Sequence, residues 1–144
     1  MKSSRLTTFR RLCLLGTLVA LCVIVLGAYV RLSHAGLGCP DWPGCYGHLT
    51  AGQAAENHQA VNAAFPERPI EYDKALKEML HRYLASALGL LILVIAALAW
   101  RNRRDAQQPV RLPLATVALV IFQGLLGMWT VTLLLKPAIV SAHL

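Results

Sequence analysis

The hydrophobic residues of this chain fall in blocks rather than in alternation. Residues 12–30 are nineteen positions without a charge, from Leu12 to Val30. A helix of that length rises roughly 29 Å at about 1.5 Å per residue, which matches a bilayer core. A second span is predicted over residues 81–100, uncharged from Tyr83 to Trp100, and a third over residues 112–135, again uncharged. A fourth apolar stretch, residues 138–144, is too short to cross a membrane. It reads as the start of a truncated fourth span, the alternative being a C-terminal stub at the interface. The pattern predicts an all-α membrane protein: an N-terminal four-helix transmembrane bundle with three full spans and a truncated fourth. Gly16 and Ala20, and Ala85 and Gly89, are spaced four apart, so each pair lies on one helix face and lets backbones approach closely.

Between the first two spans lies a loop, residues 31–80, which divides in three. Its first part, Arg31 to Gly47, contains the run Gly36-Leu37-Gly38-Cys39-Pro40-Asp41-Trp42-Pro43-Gly44-Cys45-Tyr46-Gly47, a knot rich in glycine, proline and cysteine. Thr50 to Phe65 is alanine-rich and predicts one short helix. Pro66 to Pro69 breaks it, and Glu71 to Leu80 resumes a helical pattern that runs toward the second span. The tight Pro137 turn predicts that the third and fourth helices are antiparallel neighbours.

Composition agrees with the blocks, since 56% of the 144 residues are hydrophobic, above the globular range of about 45–50%. The net charge of +7 changes the picture through its placement. Lys2, Arg5, Arg10 and Arg11 precede the first span, in residues 1–11. Arg101, Arg103, Arg104 and Arg111 lie between the second and third, in residues 101–111. Basic flanks of this kind mark the cytoplasmic side. The N-terminus is therefore expected in the cytoplasm and residues 31–80 outside, and the basic charge reads as an orientation signal rather than a nucleic-acid footprint. The first apolar run exceeds the usual 7–15 residues of a signal peptide and lacks a good small-residue cleavage site. An outward loop meets an oxidising space, where Cys39 and Cys45 can form a disulfide. Their spacing is not that of a CxxC motif, and both a loop staple and a redox-active pair remain open. Cys13 and Cys22 read as small hydrophobes within the first span.

Several residues carry candidate chemistry. Glu78 and His81 are three apart and share a helix face, with Arg82 four after Glu78. An interfacial cluster with Glu78 and Arg82 paired is one reading. His143 suggests another, because it lies six residues past Pro137, roughly 9 Å into the membrane on helical rise, where an ionisable group points to function. Two imidazoles on the second and fourth helices suit a haem iron, with the macrocycle filling the apolar gap. Zinc or copper would want further ligands, of which His34 is the nearest candidate. His48 and His58 read as ordinary loop residues. Arg31 and Arg82, level with the outer rim, are candidates for pairing with haem propionates, or for simple interfacial anchoring. Gln123 is the strongly polar side chain of the third span and reads as an interhelical hydrogen bond.

Four stretches together resemble the haem A synthase family of cytochrome oxidase assembly proteins. They are Gly27 to Gly47, Glu78-Met79-Leu80-His81-Arg82, Gln123 to Val131, and Ser141-Ala142-His143-Leu144. The resemblance implies an eight-helix protein of two similar four-helix halves, each with a histidine pair on its second and fourth helices. It implies oxidation of a methyl group of haem O to a formyl group, giving haem A for cytochrome c oxidase, by successive hydroxylations with water as the oxygen source. His81 and His143 would be the pair of the N-terminal, substrate-haem half, Glu78 the catalytic acidic residue, and Cys39 and Cys45 the outer-loop pair. A haem b cofactor would belong to the second half, which these residues do not include. The implied setting is the inner (plasma) membrane with a periplasmic or extracellular loop. The implied partners are haem O synthase or cytochrome oxidase assembly factors and membrane lipid, with a homo-oligomer open. The alternative function is a haem-binding or thiol-redox membrane module without catalysis of its own.

Overall fold

The structure, a computed structural model, describes residues 2–144 with side chains from Leu6 onward. Met1 and the side chains of Lys2 and Arg5, in the expected basic flank, lie outside the described residues. Six helices and no strand are present among the described residues: α1 (Lys2–Leu32), α2 (Ala51–Glu56), α3 (His58–Ala64), α4 (Tyr72–Arg101), α5 (Arg111–Thr132) and α6 (Pro137–His143).

Three helices are long and apolar enough to span a bilayer, over Leu6–Leu32, Tyr72–Arg101 and Arg111–Thr132. Their outward side chains are large and apolar, among them Leu14, Leu21, Ile24, Leu90, Leu119 and Ile121. Leucines and isoleucines left this bare in water would be costly, and in lipid they are not. The apolar runs set where the spans lie, but not where the helices stop. α4 starts at Tyr72, because the pattern resumed at Glu71 continues without a break into the apolar run. At its far end α5 stops at Thr132 although the uncharged run continues to Leu135. Leu134 and Leu135 adopt positive φ, and the Leu135 N–H reaches back to the Thr130 carbonyl at 2.8 Å. The reversal is needed because Pro137 occupies the first turn of α6, where its missing N–H costs nothing.

The alanine-rich segment is two helices rather than one. Thr50 caps α2 through a reciprocal capping box with Gln53. Asn57 then breaks the helix: its backbone leaves the helical region, and its side-chain amide donates to the Gln53 carbonyl at 2.9 Å.

Helices adjacent in the membrane are adjacent in sequence. α1 packs on α4, α4 on α5 and α5 on α6, while α2 rests on the outer part of α4. Among the described residues, neither α1 nor α4 packs on α6, so α1, α4, α5 and α6 form a row rather than a closed ring. The apolar contacts lie at two levels. Phe9, Ile95 and Ala99 meet near the N-terminal end of α1, with half-buried Cys13 packed against them. Cys39, Cys45, Tyr46, Ala51, Ala54, Val61, Ala75 and Met79 make a second cluster, which gives the outer loop its own small core.

Candidate functional site

The outer turns of α4 carry Glu78, His81 and Arg82, and the helix register decides what each one meets. Glu78 is buried, at 4% exposure, and an ionised carboxylate there needs partners. It has two. Oε2 accepts the Cys39 backbone N–H at 3.0 Å, and Oε1 accepts from the Arg82 guanidinium in an ion pair one helical turn long. The other arm of Arg82 donates to the carbonyls of Asp41 at 3.0 Å and Gly44 at 2.6 Å, with Pro43 at 3.4 Å. Glu78 thus holds the start of this short loop, and Arg82 spans it from Asp41 to Gly44.

That loop is closed by the Cys39–Cys45 disulfide. Inside it the Asp41 carboxylate accepts the backbone N–H groups of Tyr46 at 2.6 Å and Gly47 at 2.8 Å, which fixes the turn. The Tyr46 ring packs edge-on against Phe65, and its hydroxyl donates to the Pro69 carbonyl at 3.4 Å. Burial, with help from the Glu71 charge, pushes that hydroxyl above its ordinary range, so it stays neutral. The loop lies directly on α4. A Cβ on Gly38 would stand 2.5 Å from the Lys74 carbonyl carbon, so only glycine permits this approach. Both cysteines are fully buried.

Below the loop, each histidine rests against a glycine of a neighbouring helix. A Cβ on Gly27 of α1 would lie 2.9 Å from His81 Cε1, and one on Gly127 of α5 would lie 3.2 Å from His143 Cε1. The two glycines occupy matching places, each five residues before its helix ends at Leu32 or Thr132. Both helices then turn through positive-φ residues, with the Ala35 N–H on the Val30 carbonyl and the Leu135 N–H on the Thr130 carbonyl. The polar surroundings of the rings differ. His143 Nδ1 lies 3.1 Å from Gln123 Oε1, an acceptor, so Nδ1 carries the proton and Nε2 keeps its lone pair. His81 Nδ1 is buried without a hydrogen-bond partner. His143 is near enough to His81 for the rings to interact electrostatically. These features fit a flat group that takes two imidazole ligands: an orphaned ring nitrogen, two glycine cradles, and donors from two helices that do not pack on each other.

The remaining sequence candidates are placed apart from this pair. Arg31 is exposed at the C-terminal end of α1. His34 ends that helix with positive φ, and its side chain is exposed. His58 faces the Ala55 carbonyl at 3.3 Å. Among the described residues, no three histidine, cysteine or carboxylate side chains gather as a metal site. Sequence reasoning missed Gly27 and Gly127. The available signal was a glycine fifteen residues after the start of two apolar runs, at Leu12 and Leu112, each followed by a helix that carries a histidine.

The profile of the cytochrome oxidase assembly protein family matches residues 10–144. The chain is 50% identical over 140 residues to a haem A synthase of Shewanella oneidensis, covering 97% of this chain and 41% of that protein. It is 32% identical over 124 residues to a haem A synthase of Alkalihalophilus pseudofirmus, covering 85% and 36%. A haem A synthase of Halalkalibacterium halodurans is 30% identical over 138 residues, covering 93% and 41%. The chain therefore spans about two fifths of the length of these curated relatives. No solved structure matches it.

Proposed function

The chain belongs to the cytochrome oxidase assembly protein family, and on that premise we propose that it is the substrate-haem half of a haem A synthase. In this reading α1, α4, α5 and α6 close around haem O as a four-helix bundle, and one ring methyl group is oxidised to the formyl group of haem A, with water supplying the oxygen and an electron acceptor outside these residues taking the electrons released with the protons. The observation that carries the reading is the pair His81 and His143, each seated on a glycine and offered from helices that do not pack on each other.

His81 and His143 hold the substrate iron through ring nitrogens. Gln123 holds the Nδ1 proton of His143, which leaves Nε2 to ligate. Arg31 stands exposed at the outer rim and pairs with a propionate. Arg82 is the second propionate candidate, although its guanidinium already serves Glu78 and the loop carbonyls. Two roles are open to Glu78, accepting a proton or stabilising positive charge as electrons leave the substrate. The bonds around it favour the second. Both of its oxygens accept from donors, the Cys39 N–H and the Arg82 guanidinium, that aim positive charge at the carboxylate and hold it in place. The haem b cofactor implied by the resemblance belongs to the length of the relatives that this chain does not span. The N-terminus is cytoplasmic in this proposal, and the disulfide loop faces the outer side of the plasma membrane. Haem O arrives from haem O synthase, and haem A passes toward cytochrome oxidase assembly. A thiol-exchange module is less well supported, since both sulfurs are fully buried.

The test is made on protein purified from membranes. Absorption spectroscopy is expected to show a bis-imidazole haem that His81→Ala or His143→Ala removes. Unaltered haem content after both changes would overturn the reading. Glu78→Ala is expected to retain haem O while haem A disappears from extracted pigment. Haem A at the native rate in that variant would end the catalytic role of Glu78, and a wild-type protein that holds haem without converting it would leave a binding module only.

A further inference from the structure

The ring closed by Cys39 and Cys45 binds both members of the Glu78–Arg82 ion pair of α4. Its first residue supplies the N–H that binds Glu78 Oε2, while Asp41 within it and Gly44 just before its last residue supply the carbonyls that bind Arg82. The disulfide fixes the distance between these two ends. Arg82 joins them a second time from beneath, with one arm on Glu78 and the other on the Asp41 and Gly44 carbonyls. Both side chains are nearly buried, at 13% exposure for Arg82 and 5% for Glu78, so these bonds are shielded from water. The two other ion pairs, Lys74–Glu71 and Lys77–Asp73, are more exposed.

We propose that Arg82 is a positioning residue that joins the disulfide ring and the Glu78 carboxylate into a single latch. An intact ring holds the Glu78 carboxylate in one place. Loss of Arg82 frees the ring, and opening of the ring frees Glu78. Coupling of this kind is reciprocal, so either disturbance must be felt at the other end. The latch stands on the geometry alone, and its bearing on catalysis rests on the role proposed above for Glu78.

Reduction of the buried disulfide by dithiothreitol requires the ring to lift from α4, so its rate reports how firmly the ring is held. The rate is read in membranes as a maleimide mass shift on Cys39 and Cys45. Arg82→Gln and Glu78→Gln are each expected to speed reduction by about tenfold or more, because each removes charge-assisted hydrogen bonds to the ring. Arg82→Lys keeps the charge with fewer directed donors, and is expected to fall between wild type and Arg82→Gln. Should Arg82→Gln not accumulate in membranes, Arg82→Lys alone carries the comparison. Asp73→Asn breaks an exposed pair, and is expected to leave the rate unchanged. The double variant Arg82→Gln with Glu78→Gln is expected to fall short of the product of the single effects. Unchanged rates in the single variants, or a double effect equal to the product, would overturn the latch. The same proteins are then assayed for pigment. Wild type with its disulfide reduced and Arg82→Gln are expected to lose haem A output to the same degree while retaining haem O, and reductant is expected to lower Arg82→Gln no further. Faster reduction with haem A output intact would uphold the latch and remove instead the catalytic role of Glu78.

Discussion

Gly27 and Gly127 matter because of what they lack. A methyl group on Gly27 would meet His81 Cε1 at 2.9 Å, inside ordinary contact, whereas one on Gly127 would meet His143 at 3.2 Å, a distance that a small shift relieves. Gly27→Ala is therefore expected to lower the haem-to-protein ratio of purified protein more than Gly127→Ala. Equal ratios in the two variants would show that the rings do not use these cradles. Gln123→Ala leaves His143 without its Nδ1 partner and is expected to weaken haem retention by about 10–100-fold. Haem titration that shows native affinity would remove that role. Glu78, His81 and Arg82 could be read from the sequence because their spacing is set by the helix they share. The glycines could not, because a glycine has no side chain to signal which neighbouring helix faces it. The bonds from Arg82 to the loop carbonyls were hidden for a related reason. Spacing pairs Arg82 with Glu78, but the shape of a disulfide ring 38 or more residues away is not encoded in that spacing.

At the level of elements, the long apolar helices were legible and the small polar ones were less so. Uninterrupted apolar runs fix α1, α4 and α5 because nothing else satisfies their backbones in lipid. In the loop, one asparagine decides between one helix and two. Asn57 binds the Gln53 carbonyl with its own side chain, a local competition that composition does not reveal. The capping box of Thr50 and Gln53 then becomes the start signal of α2. Thr50→Ala is expected to cost about 1 kcal/mol locally. Hydrogen exchange should show this as faster amide exchange confined to residues 51–56, and unchanged exchange there would mean that packing on α4 alone holds α2.

At the level of the whole molecule, the apolar blocks predicted the number of spans but not their arrangement. Lipid tails are as apolar as leucine, so a greasy face does not say whether it meets lipid or another helix. The row of α1, α4, α5 and α6 became visible only from the packing. The proposed orientation has a direct test in intact cells, using a membrane-impermeant maleimide. Gln59→Cys on α3 is expected to be labelled, and Gln107→Cys between α4 and α5 is expected to be protected; the reverse pattern would invert the topology. Cys13 and Cys22, the free cysteines, lie within the first span and serve as internal blanks. One feature links these scales, the 30-residue length of α4. It rises about 45 Å, whereas a bilayer core takes about 30 Å. Counted from Arg101, the boundary of the hydrocarbon falls near His81, and the first ten residues stand above it as a mast. The disulfide loop and α2 are rigged to this mast, and the histidine sits at its foot. A push on the loop from outside would tilt the mast as one rigid piece and swing the imidazole at its base, so a force applied in water would arrive as a movement inside the membrane.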